Sequence, residues 1–222
     1  MSDGFTVEGE AWIAPNVQIG PGTLIMGPCS IGMPPRGAKP GQLPLVIGRD
    51  CIIRPYTTIY AGSTLGDGVQ TGQGASIREG NTIGDGSSVG THATLEPGNR
   101  IGKNCRIHSG CFMENVTLGD EVFLGPNVVF TDDPHPPCPR YEDCVGGGKV
   151  GRRAAIGGNS TILPGVIVGE GALVGAGSVI VREVPAGMVV AGNPGRVIKA
   201  VSELTCRSGL MERPYAWREE SQ

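Results

Sequence analysis

Ring-bearing side chains are scarce here: phenylalanine, tyrosine and tryptophan supply only 5% of the 222 residues. So few rings suit an interior too narrow to hold them. No apolar run approaches the roughly 20 residues of a membrane span. The opening MSDGFTVEGE lacks the basic and apolar regions of a signal peptide. A net charge of −3 gives no electrostatic footprint for nucleic acid. Cysteine is present seven times, an odd and scattered set that favours a reducing cytoplasm over a disulfide scaffold.

Glycine and proline are abundant instead, at 38 and 18 residues, about a quarter of the chain. In a disordered chain they would be unordered; here the glycines keep time. From Ile47 to Met113 an aliphatic residue, once a threonine, recurs at every sixth position: Ile47, Ile53, Ile59, Leu65, Thr71, Ile77 and on through Ile83, Val89, Leu95, Ile101 and Ile107. A period of six fits neither the helical 3.6 nor simple strand alternation, and it is the unit of a parallel β-helix. Each hexad supplies a short strand whose aliphatic points inward, then a turn at glycine, asparagine or aspartate, which tolerate positive φ. Three hexads close a triangular coil of about 18 residues, and stacked coils place like residues above one another.

Two excursions break the beat. Hexads led by Val7, Ile13, Ile19, Ile25 and Ile31 stop at MPPRGAKPGQLP (33–44), and the register restarts at Ile47. After Met113 the step falls to five before Leu118, Leu124 and Phe130, and TDDPHPPCPRYEDCVGGGK (131–149) follows. The last run holds Val150, Ile156, Ile162, Val168, Val174 and Ile180. Five, twelve, three and six hexads make about 26, or between eight and nine coils. The reading is one β-helix domain over 1–197 with loops at 33–45 and 131–149. A C-terminal helix, expected near Lys199–Cys206, and a tail fill 198–222 and cap one open end.

The run IGGNSTILPGVIVGEGALVGAGSVIVREVPAGMVVAGNPGRVIK resembles the ending of the hexapeptide-repeat acyltransferases over some 44 residues. That resemblance implies an all-β, left-handed parallel β-helix, an acetyl-CoA co-substrate, and a homotrimer whose active sites lie between subunits. It also places Gly158 and Ala176, 18 residues apart, where small residues let pantetheine lie along two coils. Arg182, Arg196 and Lys199 fall where the family sets basic groups near the coenzyme phosphates.

Function in a repeat protein is expected where the repeat breaks. FTDDPHP is similar to the FTN-containing segment of nucleotide-linked amino-sugar N-acyltransferases, with Asp132 at the place of the asparagine that touches the acceptor amine. Glu114 lies 18 residues before Asp132, one full coil, and the five-residue step is expected to put both two places beyond the in-register position, so that the two carboxylates stack and favour a cationic amine or share a proton. His135-Pro136 also resembles the T-x-x-H-P segment of galactoside- and maltose-type O-acetyltransferases with one residue inserted. There the histidine is the general base, so His135 is the alternative base if the acceptor is a hydroxyl.

His135, Cys138 and Cys144 are also spaced loosely enough to hold zinc, with Cys206 as a fourth ligand, and a metal there would withdraw His135 from base catalysis. Cys51 and Cys105 sit within hexads and read as small buried residues. A carbonic-anhydrase-like or non-catalytic β-helix is the rival class, but three histidines, none closely paired, argue against the former. The reading is therefore an acetyl-CoA-dependent acyltransferase acting on an amino group of a nucleotide-linked sugar or a similar small polar acceptor.

Overall fold

The computed structural model describes residues 4–216. The chain winds as a parallel β-helix with three flat faces. The first face runs from Thr6–Glu8 to Met188–Gly192, the second from Ala11–Ile13 to Val179–Ile180, and the third from Val17–Ile19 to Ile167–Val168. Most hexads spend two or three residues in a strand and the rest in a corner, and this brevity keeps the prism narrow. Register follows the sequence period: Ile77 lies opposite Ile59 below and Leu95 above. The three sheets hold 11, 9 and 8 strands, so the stack has the height expected from the hexads plus a terminal hairpin.

Two residues of every hexad point inward, because strand side chains alternate. The first is the periodic aliphatic, and from Ile25 to Val190 these form one continuous buried column. The second, two residues earlier, is small: Cys51, Ala75, Ala93, Cys105, Cys111, Val116 and Ala154 are almost or wholly buried there. Cys51 and Cys105 are each 0% exposed, as expected for in-repeat cysteines, and burial raises both thiol pKa values. At other coils the same position takes Thr57, Ser63, Asn81, Ser87, Asn99, Ser160 or Ser178. Their polar atoms all find hydrogen-bond partners, which makes burial affordable.

The C-terminal end differs from the expected helix. Gly195–Ala200 turns back and pairs antiparallel with Met188–Gly192, and only Val201–Glu203 is helical, as one turn of 3-10 helix. An unpaired strand at the end of the stack is a strong template for backbone pairing, and a strand satisfies it more fully than a helix laid across it. The return strand therefore crosses the expected boundary at residue 198. Residues 217–222 of the tail lie outside the described set. Among the described residues no helix is long and apolar enough to cross a membrane.

Candidate active site

Both excursions leave the prism at the same corner. Loop 34–44 follows the second-face strand Cys29–Met33, and the loop after residue 130 follows the second-face strand Val129–Phe130; each returns on the third face, at Leu45–Ile47 and Lys149–Val150. Between them the corner shows one outward residue per coil: Tyr60, Arg78, Glu96 and Glu114, stacked by the register of their strands. Arg78 donates to Glu79 (2.9 Å) and Glu96 (3.1 Å), and its guanidinium carbon lies 4.9 Å from the centre of the Tyr60 ring. The result is a row of outward side chains bounded at both ends by loops, termed the trough.

Buried asparagines hold that corner in shape from inside. Asn81 Nδ2 donates to the carbonyl of Arg78 (2.7 Å), and Asn99 Nδ2 donates to the carbonyl of Glu96 (2.6 Å) and to Asn81 Oδ1 (2.8 Å). The N–H of Val116, in the next coil, donates to Asn99 Oδ1 at 2.9 Å. These residues were invisible as site elements in the sequence, where asparagine beside a turn reads as the turn itself.

The expected stacking of Glu114 on Asp132 is corrected by the structure. The five-residue step shortens this coil to 17 residues, so Phe112 pairs with Val129. Asp132 therefore stands above Asn115, whose Nδ2 donates to Asp132 Oδ2 at 3.1 Å. The two carboxylates are joined instead through Tyr141, which the sequence reading missed. Tyr141 comes from a short helix, Tyr141–Cys144, within the loop. Its hydroxyl lies 2.6 Å from Asp132 Oδ2 and 3.4 Å from Glu114 Oε1. Its one sequence signal is that it is the sole aromatic between Thr131 and Lys149. The loop's return leg needs Gly147, because a Cβ there would lie 2.1 Å from the Asn115 carbonyl oxygen.

Asp132 is 6% exposed and Glu114 is half-buried. Burial raises the Glu114 pKa, and the nearby Asp132 charge raises it further, with Glu96 adding to both. The Tyr141 hydroxyl is held protonated, above its usual range, first by its bond to Asp132 and then by desolvation. Tyr141 is thus a donor at any physiological pH. Between the two loops the corner sets the Arg78 guanidinium against the carboxylates of Glu79, Glu96, Glu114 and Asp132, an excess of negative charge suited to a cation.

His135 does not join this group. Its ring nitrogen lies with Cys138 Sγ and Cys144 Sγ in a cluster whose ligand atoms are all within 4.8 Å of one another. Among the described residues the ring makes no hydrogen bond to Glu114 or Asp132. Cys206 is not part of the cluster; its thiol sits 3.1 Å from Ser208 Oγ in the exposed C-terminal segment.

Gly158 and Ala176 stack on one another at a different corner, the one after the first face, because Ile156 pairs with Val174. Gly192 continues the column, since Val174 pairs with Val190. At the third-face corner the equivalent backbone N–H groups of Arg49, Asp67 and Lys103 donate to an aspartate of the next coil. The N–H groups of Gly158 and Ala176 donate to nothing among the described residues. Arg196 lies opposite Ala191 on the return strand, at the top of this column. Lys199 lies at the far end of that strand opposite Val189, with its ammonium on the Glu203 carbonyl at 3.2 Å. Arg182 follows Val179–Ile180, on the corner of the trough. The three basic residues therefore do not converge within one chain.

Comparison with known proteins agrees with the repeat and the fold. Residues 147–182 match the bacterial transferase hexapeptide model of six repeats, and residues 98–132 match the hexapeptide repeat of succinyl-transferase. A 2,3,4,5-tetrahydropyridine-2,6-dicarboxylate N-acetyltransferase of Clostridium perfringens is 58% identical over 50 residues, 22% of this chain and 21% of that protein. The galactoside O-acetyltransferase of Escherichia coli is 33% identical over 95 residues, 40% of this chain and 45% of that protein. The chain thus spans less than half the length of either relative. The UDP-N-acetylglucosamine acyltransferase of Campylobacter jejuni superposes with a TM-score of 0.73 at 20% identity, over 88% of this chain and 75% of that one, a likeness of fold. By its repeats and its coil, the chain is similar to the hexapeptide-repeat acyltransferases.

Proposed function

We propose that this protein transfers an acetyl group from acetyl-CoA to an amine on a small polar acceptor held in the trough. The observation that carries the reading is the Glu114–Tyr141–Asp132 group, a carboxylate pair bridged by a protonated hydroxyl at the one corner where both loops emerge. Asp132 stays hydrogen-bonded to Tyr141 and Asn115 and attracts the ammonium form of the acceptor. Glu114, whose pKa is raised by burial, is the proton acceptor in this reading. The bound ammonium first gives one proton through Glu114 to solvent. As the resulting neutral amine attacks the thioester carbonyl, the new C–N bond forms, the C–S bond breaks, and a second amine proton passes to Glu114 and then to solvent. The coenzyme leaves as a thiolate and is protonated by water. Positioning accounts for more of the rate than proton transfer does, since a neutral amine is already a good nucleophile.

The free N–H groups of Gly158 and Ala176 suit the amide carbonyls of pantetheine, with Arg196 beyond them toward the phosphates. This column and the trough lie on different corners with the second face between them. One chain therefore does not bring thioester to amine, which supports a homotrimer whose active sites join the coenzyme corner of one subunit to the trough of the next. The elongated trough suits an acceptor such as a nucleotide-linked amino sugar. A hydroxyl acceptor activated by His135 is less well supported, because that ring faces two thiols rather than the carboxylates.

Calorimetric titration with coenzyme A, followed by mass spectrometry of candidate amines incubated with acetyl-CoA, tests the reading. Binding together with an acetylated amine supports it; no binding at millimolar coenzyme would sink it and leave a non-catalytic β-helix.

A further inference from the structure

We infer that His135, Cys138 and Cys144 form a site for a zinc-class divalent ion, which locks the loop that carries Tyr141. The three ligand atoms already lie within 4.8 Å of one another, and the two sulfurs are 3.4 Å apart. A tetrahedral zinc with bonds of about 2.3 Å to sulfur holds two thiolates about 3.7 Å apart, so a movement of a few tenths of an ångström suffices. A disulfide would require the sulfurs to approach by more than about 1 Å. One imidazole and two thiolates are the donor set that a borderline-soft ion prefers over calcium or magnesium.

The backbone around the ligands is already organised. Asp133 accepts from the N–H of His135 at 2.8 Å and from the N–H of Cys138 at 3.4 Å, which fixes the first turn of the loop. Tyr141 N–H donates to the Cys138 carbonyl at 3.2 Å and Val145 N–H to the Tyr141 carbonyl at 2.8 Å, which fixes the second. Cys144 Sγ is 3.3 Å from the Arg140 carbonyl, and its pKa is raised chiefly by its contact with Cys138. Ion binding releases the two thiol protons to solvent and leaves a fourth position for water, because Cys206 stands elsewhere.

The consequence reaches the trough through connectivity. Cys144 ends the helix that Tyr141 begins, and His135 precedes it by one proline-stiffened turn. An ion that joins the two ends leaves Tyr141 little freedom to depart from Asp132. It also withdraws the His135 nitrogen from any role as a base. The metal site stands or falls independently of acyl transfer, since its readouts are metal content, spectrum and protease protection.

The experiment is metal analysis of the full chain purified without chelator, with a second preparation reloaded with zinc. About one equivalent per chain is expected, falling below about a tenth in Cys138→Ser and Cys144→Ser. Cobalt substitution is expected to give a thiolate-to-metal charge-transfer band and intense tetrahedral d–d bands. His135→Ala should weaken binding about tenfold or more while keeping the thiolate band. Chelation should speed tryptic cleavage after Arg140, with the coil's circular dichroism unchanged. Metal below a tenth of an equivalent in both preparations, or a Cys138–Cys144 disulfide in reducing buffer, would overturn the site. Equal protection of Arg140 with and without metal would overturn the locking of the loop.

Discussion

Replacing Asn99 with alanine tests whether the buried asparagines shape the trough. Asn99 is 0% exposed, and its side chain donates to Asn81 Oδ1, the Glu96 carbonyl and the Met113 carbonyl while accepting from Val116 N–H. Truncation does not orphan all of these partners. Asn81 Oδ1 keeps the Asn99 backbone N–H, the Glu96 carbonyl keeps Asn81 Nδ2, and the Met113 carbonyl keeps the Glu96 N–H. Only the Val116 N–H loses its partner outright. A buried orphan donor costs ~1–3 kcal/mol and each of the three further hydrogen bonds ~1 kcal/mol, which gives ~4–6 kcal/mol in all. For a chain of this size that corresponds to a Tm lower by about 8–24 °C.

Asn99→Asp sharpens the test. The carboxylate still accepts from Val116 but turns an oxygen toward three other acceptors, so it should be less stable than alanine at neutral pH and recover toward acid. Differential scanning calorimetry of both variants across pH decides the matter. A fall of less than about 2 °C for Asn99→Ala, or an aspartate variant as stable as the alanine one, would refute the reasoning.

Other outcomes follow from the same geometry. Glu114→Gln should lower kcat/KM for the amine by about 10²-fold or more while raising the melting temperature at neutral pH. The folded-state Glu114 pKa is raised, so its charge becomes a cost as pH climbs through that value, and glutamine removes it; unchanged stability would contradict this. Tyr141→Phe removes the bond that partly stabilises the Glu114 charge, so the acidic limb of the pH–rate profile should move to higher pH, as initial rates across a buffer series will show. Ala176→Trp should weaken coenzyme binding at least about tenfold by calorimetry with no loss of fold, because the position is exposed and lies on the proposed pantetheine column.

The sequence carried the prism almost whole, since a single aliphatic in six specifies both the inward direction and the coil length. What it hid was the second inward position. Cysteine, serine and asparagine there look like turn or surface residues until stacking buries them, so Asn81 and Asn99 passed unnoticed. The shortened coil is visible as a five-residue step, but the alignment expected from it, Glu114 with Asp132, is one place off: the deleted residue makes the coil 17 residues long and sets Asn115 below Asp132. Tyr141 was hidden for a different reason. It lies in a segment without periodicity, and its partner is chosen by the fold of the loop alone.

The two loops share a corner five rungs apart, from Met33 through Tyr60, Arg78, Glu96 and Glu114 to Thr131. Each rung is a strand spacing of ~4.8 Å fixed by backbone hydrogen bonds, so the loops stand ~24 Å apart along the axis. That span can neither stretch nor compress by small amounts. A descendant of this chain can lengthen or shorten the distance only by gaining or losing whole coils, so its reach is a property that changes in steps.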